Sequence, residues 1–266
     1  MLTQLAFLSA LQLAGMLSAA GLARRTSTVF VACSGLLWGL MLWVAVGLVH
    51  LNAGIPLTAG TVFPALGGLS LASAVAAVRL RAVDAAVARR LGLMYLASVL
   101  VIAAVLPFDM TAVSFDSMRQ MALGRIFAEH PRVEIKALEE GFGNWAPFVP
   151  LIHAAAPMIG LDYLHALHPC IFLSLAACLV VLGRTMLREL GRPPAEALVL
   201  PLLGVCVLGS TFFFAYQAFY VHNSLPVTAF VTVYAGTLWL ALRQRRPAWL
   251  VFSMAAANGS THARRT

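Results

Sequence analysis

Runs of about 20 apolar residues recur along the whole length of this 266-residue chain, and no other feature limits its fold so sharply. A helix of that length crosses the ~30 Å hydrocarbon core of a bilayer, and a helix satisfies its own backbone hydrogen bonds where no water can. The runs fall at 2–23, 28–50, 56–78, 91–107, 163–183, 195–215, 225–242 and 247–263. They predict an all-α, polytopic transmembrane helical bundle of about eight spans, a single integral membrane domain over 1–266. The ~10-residue alternation of a membrane barrel is missing from the pattern. A shorter apolar piece, 148–160, is too brief to cross and is expected to be re-entrant or interfacial. Charged residues make up 11% of the chain, where a soluble domain carries roughly 25%. Mean hydropathy is +0.88.

The net charge of +8 would suggest nucleic acid in a soluble protein. Here its positions mark topology instead. Arg24 and Arg25 follow the first run, and Arg79, Arg81, Arg89 and Arg90 lie between the third and fourth. Arg184, Arg188 and Arg192 follow the fifth, and Arg243, Arg245 and Arg246 the seventh. Every second connection is arginine-rich, which the positive-inside rule assigns to the cytoplasm. The expectation is a multi-pass protein of the inner (plasma) membrane, with its N-terminus and the segment 109–147 extracytoplasmic. The first run is read as a span rather than a secretory leader, because its arginines follow it. Lys136 is the only lysine among the 18 basic residues, a bias that fits a GC-rich bacterial genome. Cys33, Cys170, Cys178 and Cys206 all fall in apolar runs without metal-ligand spacing, and read as small packing residues.

One long segment departs from the membrane pattern. Residues 109–147 hold Asp109, Asp116, Glu129, Glu134, Glu139 and Glu140, six of the ten acidic residues, with Arg119, Arg125, Arg132 and Lys136. Connections of ~40 residues are uncommon and are usually functional or disordered. Phe115, Met118, Ala122 and Ile126 recur at helical spacing, so an amphipathic interfacial helix is expected, ending near His130-Pro131. A second short helix is expected over 133–140. Trp145 then anchors the return to the bilayer. A carboxylate at the mouth of a span, such as Asp109 or Asp116, is partly desolvated, which raises its pKa towards the range useful for acid–base work.

These features, in this order, resemble the GT-C superfamily of polytopic membrane glycosyltransferases. The residues that carry the resemblance are Phe108-Asp109, Ser114-Phe115-Asp116-Ser117 and Trp145-Ala146-Pro147-Phe148-Val149-Pro150. The run 163–184, ending Leu182-Gly183-Arg184, looks like the family's second core helix, and the residues from Ala218 to Pro226 like its next outer loop. The resemblance covers 91–266 with 109–147 as the outer loop, leaving three leading spans in 1–90. It implies a donor in which the sugar is linked to a polyprenyl phosphate, and a cell-envelope acceptor on the outer face. Asp109 or Asp116 would then deprotonate the acceptor hydroxyl, and Arg119, Arg125 and Arg264 are candidates to hold phosphate, a task suited to the guanidinium fork; Arg264 reads equally as a cytoplasmic anchor at the end of a span. Asn144, Trp145, His222 and Asn223 are further candidate substrate contacts. Two departures stand out: the two aspartates are seven residues apart rather than adjacent, and the chain stops at Thr266 where such enzymes carry more spans. The second suggests an N-terminal portion.

No spacing demands a cofactor, although the acidic loop is compatible with a divalent metal at the phosphate. His165 and His168 sit one turn apart but lack a third ligand. Asp162 reads as the N-cap of the fifth span. Two other functions share the same features: a transporter or flippase of lipid-linked solutes, and a non-catalytic membrane subunit. The apparent lack of internal repeats and mid-span carboxylates weighs against an ion-coupled carrier. Membrane lipid is an expected partner and nucleic acid is not; oligomeric state is not legible.

Overall fold

The computed structural model describes residues 1–108, 115–130, 148–221 and 224–264. These fold as an all-α bundle. Its first half comprises α1 (Leu2–Ala19), α2 (Thr28–Cys33), α3 (Gly35–Asn52), α4 (Ala59–Arg79), α5 (Ala85–Val105) and α6 (Phe115–Glu129). Two short helices follow, α7 (Phe148–His153) and α8 (Ala155–Met158). The rest comprises α9 (Leu167–Glu189), α10 (Pro194–Ser210), α11 (Phe212–Gln217), α12 (Ser224–Gln244) and α13 (Pro247–Arg264).

Among the described residues, six helical segments are long and apolar enough to cross a membrane: Leu2–Leu22, α3, α4, α5, α9 and α12. The other two expected spans form α10, a 17-residue helix, and α13, which carries Asn258, Ser260, Thr261 and His262 in its last turns. The expected run 28–50 is divided at Ser34, whose Oγ donates back to the Phe30 carbonyl at 2.8 Å. α5 begins six residues before its apolar run because Asp84 caps it, accepting from the Val87 amide at 2.8 Å. Arg89 and Arg90 therefore ride on the helix instead of in a connection.

Glycine decides how closely α1 and α3 approach. A Cβ at Gly15 would overlap the Gly35 carbonyl, and one at Gly39 would overlap the Leu11 carbonyl. Small residues at such crossings bring backbones together where no hydrophobic drive exists between helices in lipid. α12 and α13 form an antiparallel hairpin: Gly259 abuts the Phe230 ring, and Ser253 Oγ donates to the Tyr234 carbonyl at 3.4 Å.

The two ends of the bundle differ. At one, Arg24 donates to the Arg81 carbonyl (3.5 Å) and Gln244 to Glu189 (2.6 Å), which draws the arginine-rich connections together. At the other, His165 Nε2 donates to the Leu106 carbonyl at 3.0 Å, joining the end of α5 to the approach of α9. α6, α7 and α8 pack at this second end, called the loop end below. The short apolar piece is re-entrant in form. Residues 148–156 are all buried, Trp43 Nε1 donates to the Leu151 carbonyl at 2.8 Å, and Phe148 meets the Phe230 ring edge-on at 5.3 Å.

Candidate functional site

α6 runs over the expected residues, ends at Glu129 as the following His130-Pro131 requires, and packs on α7 and α8. The face it buries does not follow the apolar stripe. Met118 is 52% exposed and Ala122 is exposed, whereas Ser117, Gln120, Leu123, Gly124 and Phe127 are buried. The physical reason is steric. At Gly124 a Cβ would come within 2.8 Å of the Pro150 carbonyl oxygen and 2.9 Å of His153 Cβ. Only the face bearing glycine can lie so close to α7. Met118 and Ala122 then turn outward beside the exposed Arg125 and Glu129, and Ser117 and Gln120 are buried together with Leu123 and Phe127.

Beneath that inward face lie two histidines. His153 of α7 and His168 of α9 are 2% and 1% exposed, and their rings stack at 6.2 Å with planes 22° apart. Burial, helped by neighbouring His168, pushes His153 down to about 3, so its ring is neutral. Neither nitrogen of His153 and neither amide atom of Gln120 has a hydrogen-bond partner. Buried unpartnered polar groups cost about 1–3 kcal/mol each.

His165 faces elsewhere. The Gln4 amide, oriented to satisfy its neighbours, donates to His165 Nδ1 at 3.0 Å and accepts from the His165 and Ala166 amides at 3.1 and 3.0 Å. This side chain from α1 thus ties down two amides just ahead of α9, which starts only at Leu167, so Asp162 is not its N-cap. Asp162 instead lines an open crevice of about 500 Å³ beside α6, with Thr58, Arg125, Glu129, Met158 and Gly160. Gly160 turns the chain there at φ +73°. Arg125 Nε donates to Glu129 at 2.7 Å, and that hydrogen bond first, then the charges of Glu129 and Asp162, raises the guanidinium pKa. Both partners are more than half exposed, so the pair contributes little to stability. With two carboxylates beside it, Arg125 is a poor phosphate receptor unaided.

A second, apolar groove of about 270 Å³ lies among α1, α2, α5 and α9. Val29, Val101 and Leu173 flank it, each at least 37% exposed, and Gln12 and Ser98 lie along its wall. Gln12 Nε2 donates to the Ala32 carbonyl at 2.8 Å.

Of the residues singled out from sequence, Arg119 and Arg125 are on α6, half-buried and exposed respectively. Asp116 is placed by its backbone in the first turn of α6, and Arg264 by its backbone at the end of α13. The α12–α13 hairpin returns the backbone at Arg264 towards the loop end. Asp109, Asn144, Trp145, His222 and Asn223 lie outside the described residues, as does the short helix expected over 133–140. Among the described residues no group of three His, Cys, Asp or Glu side chains could hold a metal. Sequence reading passes over Gln4; it puts Gln120 on one face with Asp116 and Arg119, and His153 in the re-entrant piece, with no catalytic or binding role for either. Compared with protein-family models, curated proteins and solved structures, the chain matches none.

Proposed function

We propose that the chain is a membrane glycosyltransferase of the GT-C type, which moves a sugar from a polyprenyl-phosphate donor to a cell-envelope acceptor at the outer face of the plasma membrane. The observation that carries this reading is α6 itself: a helix at the loop end whose backbone puts Asp116 and Arg119 within one turn of each other. The apolar groove between α5 and α9 supplies a wall suited to hydrocarbon in the same molecule.

The acceptor hydroxyl loses its proton to Asp109 or Asp116 and its oxygen bonds to the anomeric carbon. The bond from that carbon to the phosphate oxygen breaks, and the polyprenyl phosphate leaves with the electron pair. The phosphate is already a competent leaving group, so the protein has chiefly to position two substrates and to stabilise charge. Arg119 and Arg264 are the candidates for the latter; Arg125 is held by Glu129. The test is transfer of labelled sugar from a polyprenyl-phosphate donor by proteoliposomes holding wild type, Asp109→Ala or Asp116→Ala. At least one variant is expected to lose transfer by 100-fold or more, on the order of a positioned base, while inserting normally. Full transfer by both would return the chain to the carrier or subunit readings.

A further inference from the structure

The apolar groove among α1, α2, α5 and α9 asks nothing polar of an occupant. Gln12 and Ser98 on its wall satisfy each other and the backbone: Gln12 Nε2 donates to the Ala32 carbonyl at 2.8 Å and to Ser98 Oγ at 3.3 Å, and Ser98 Oγ donates to the Met94 carbonyl at 2.9 Å. Much of the remaining wall, including Val29, Leu36, Met94, Val101 and Leu173, is hydrocarbon. A volume of about 270 Å³ takes a stretch of one hydrocarbon chain rather than a whole lipid.

Charge lies beyond one end of the groove only. Residues four apart share a helix face, so Arg90 extends the face of α5 that lines the groove at Met94 and Ser98, about 6 Å nearer the arginine-rich end. Arg184 extends the lining face of α9 in the same direction, two turns and about 10 Å past Ala177. Arg25 precedes Val29 by four residues at the approach to α2. All three arginines are exposed, and among the described residues none is paired with a carboxylate. The carboxylates at that end are engaged elsewhere: Asp84 caps α5, Glu189 accepts from Gln244, and Glu196 pairs with Arg192. Towards the loop end the two lining faces continue into Val105 and Leu167, without charge.

We infer that the groove holds one acyl chain of an anionic phospholipid from the leaflet at the arginine-rich end, with its headgroup phosphate received by Arg25, Arg90 and Arg184. The guanidinium fork suits phosphate oxygens, and basic sites between helices at a membrane surface retain anionic headgroups. A zwitterionic lipid would bring an ammonium group among three guanidinium groups, whereas an anionic one brings none. A polyprenyl phosphate acting at the loop end would enter from the side where the lining faces carry no charge. The site is therefore separate from the transfer chemistry and does not depend on it.

The test is native mass spectrometry of the full chain in detergent micelles, titrated with dioleoyl phosphatidylglycerol, dioleoyl phosphatidylcholine or a polyprenyl phosphate. Phosphatidylglycerol is expected to bind one-to-one, and about tenfold or more tightly than phosphatidylcholine. Combining Arg25→Gln, Arg90→Gln and Arg184→Gln should abolish that preference. Combining Arg243→Gln, Arg245→Gln and Arg246→Gln removes the same charge from a connection off the groove, and should preserve it. Ala97→Phe fills the groove without altering charge, and should weaken phosphatidylglycerol binding tenfold or more. Equal affinity for the two phospholipids, or full binding by Ala97→Phe, overturns the site. Equal loss in the two triple variants also overturns it, since the attraction is then only that of a basic surface. Displacement of phosphatidylglycerol by an equal concentration of polyprenyl phosphate would overturn it too, giving the groove to the donor.

Discussion

His153 shows how one buried side chain makes stability depend on pH. Its native ring resists protonation down to about 3, whereas the unfolded residue takes a proton near the ordinary 6.5. Between those values the unfolded chain binds the extra proton, so stability falls as pH drops below 6.5, by about 1.4 kcal/mol per unit from this group alone. Thermal unfolding of wild type and His153→Leu between pH 7 and 4.5 should diverge, the variant losing less. Parallel curves would mean that His153 is protonated in the native protein. Single residues were also the scale at which sequence was least legible. Asp162 has the chemistry of an N-cap but lies in the crevice, and the amides just ahead of α9 are tied instead to Gln4 of α1. No local pattern encodes a hydrogen bond supplied from another helix.

The helices themselves were largely legible, because each needs a long apolar run and the lipid leaves few alternatives. Their ends shifted where a local cap outweighed hydropathy, as at Asp84. The orientation of α6 was not legible. A hydrophobic stripe on a soluble protein faces the core, but here close packing through Gly124 decides. Glycine has the same authority between α1 and α3. Gly39→Ala should destabilise the bundle by about 1–3 kcal/mol or more, since the new methyl group collides with backbone. Gly68 of α4 has open space around it, and Gly68→Ala should leave stability unchanged or raise it by up to about 1 kcal/mol. Unfolding of the two variants in the same detergent makes the comparison. Equal effects would show that α1 and α3 do not cross this closely.

For the whole molecule, the asymmetry of its ends matters most. The arginine-rich connections gather at one end, and α6, the re-entrant α7–α8 piece and the crevice gather at the other. Sequence foretold that division from charge alone. It could not foretell the histidine pair, whose partners are 15 residues apart and on different helices. In a background with the native cysteines replaced, a cysteine at Arg125 should react with an impermeant maleimide in intact cells, and one at Arg25 only after the membrane is opened. The converse would put the loop end in the cytoplasm and take the lipid-linked donor away from it. The most direct test joins sidedness to chemistry: transfer of labelled sugar in sealed vesicles of known orientation, wild type against Asp116→Asn. Product on the outer face alone, reduced 100-fold or more in the variant, is the expected result. Transfer on the inner face, or transfer unaltered by Asp116→Asn and by Asp109→Asn, would contradict a glycosyltransferase site at the loop end.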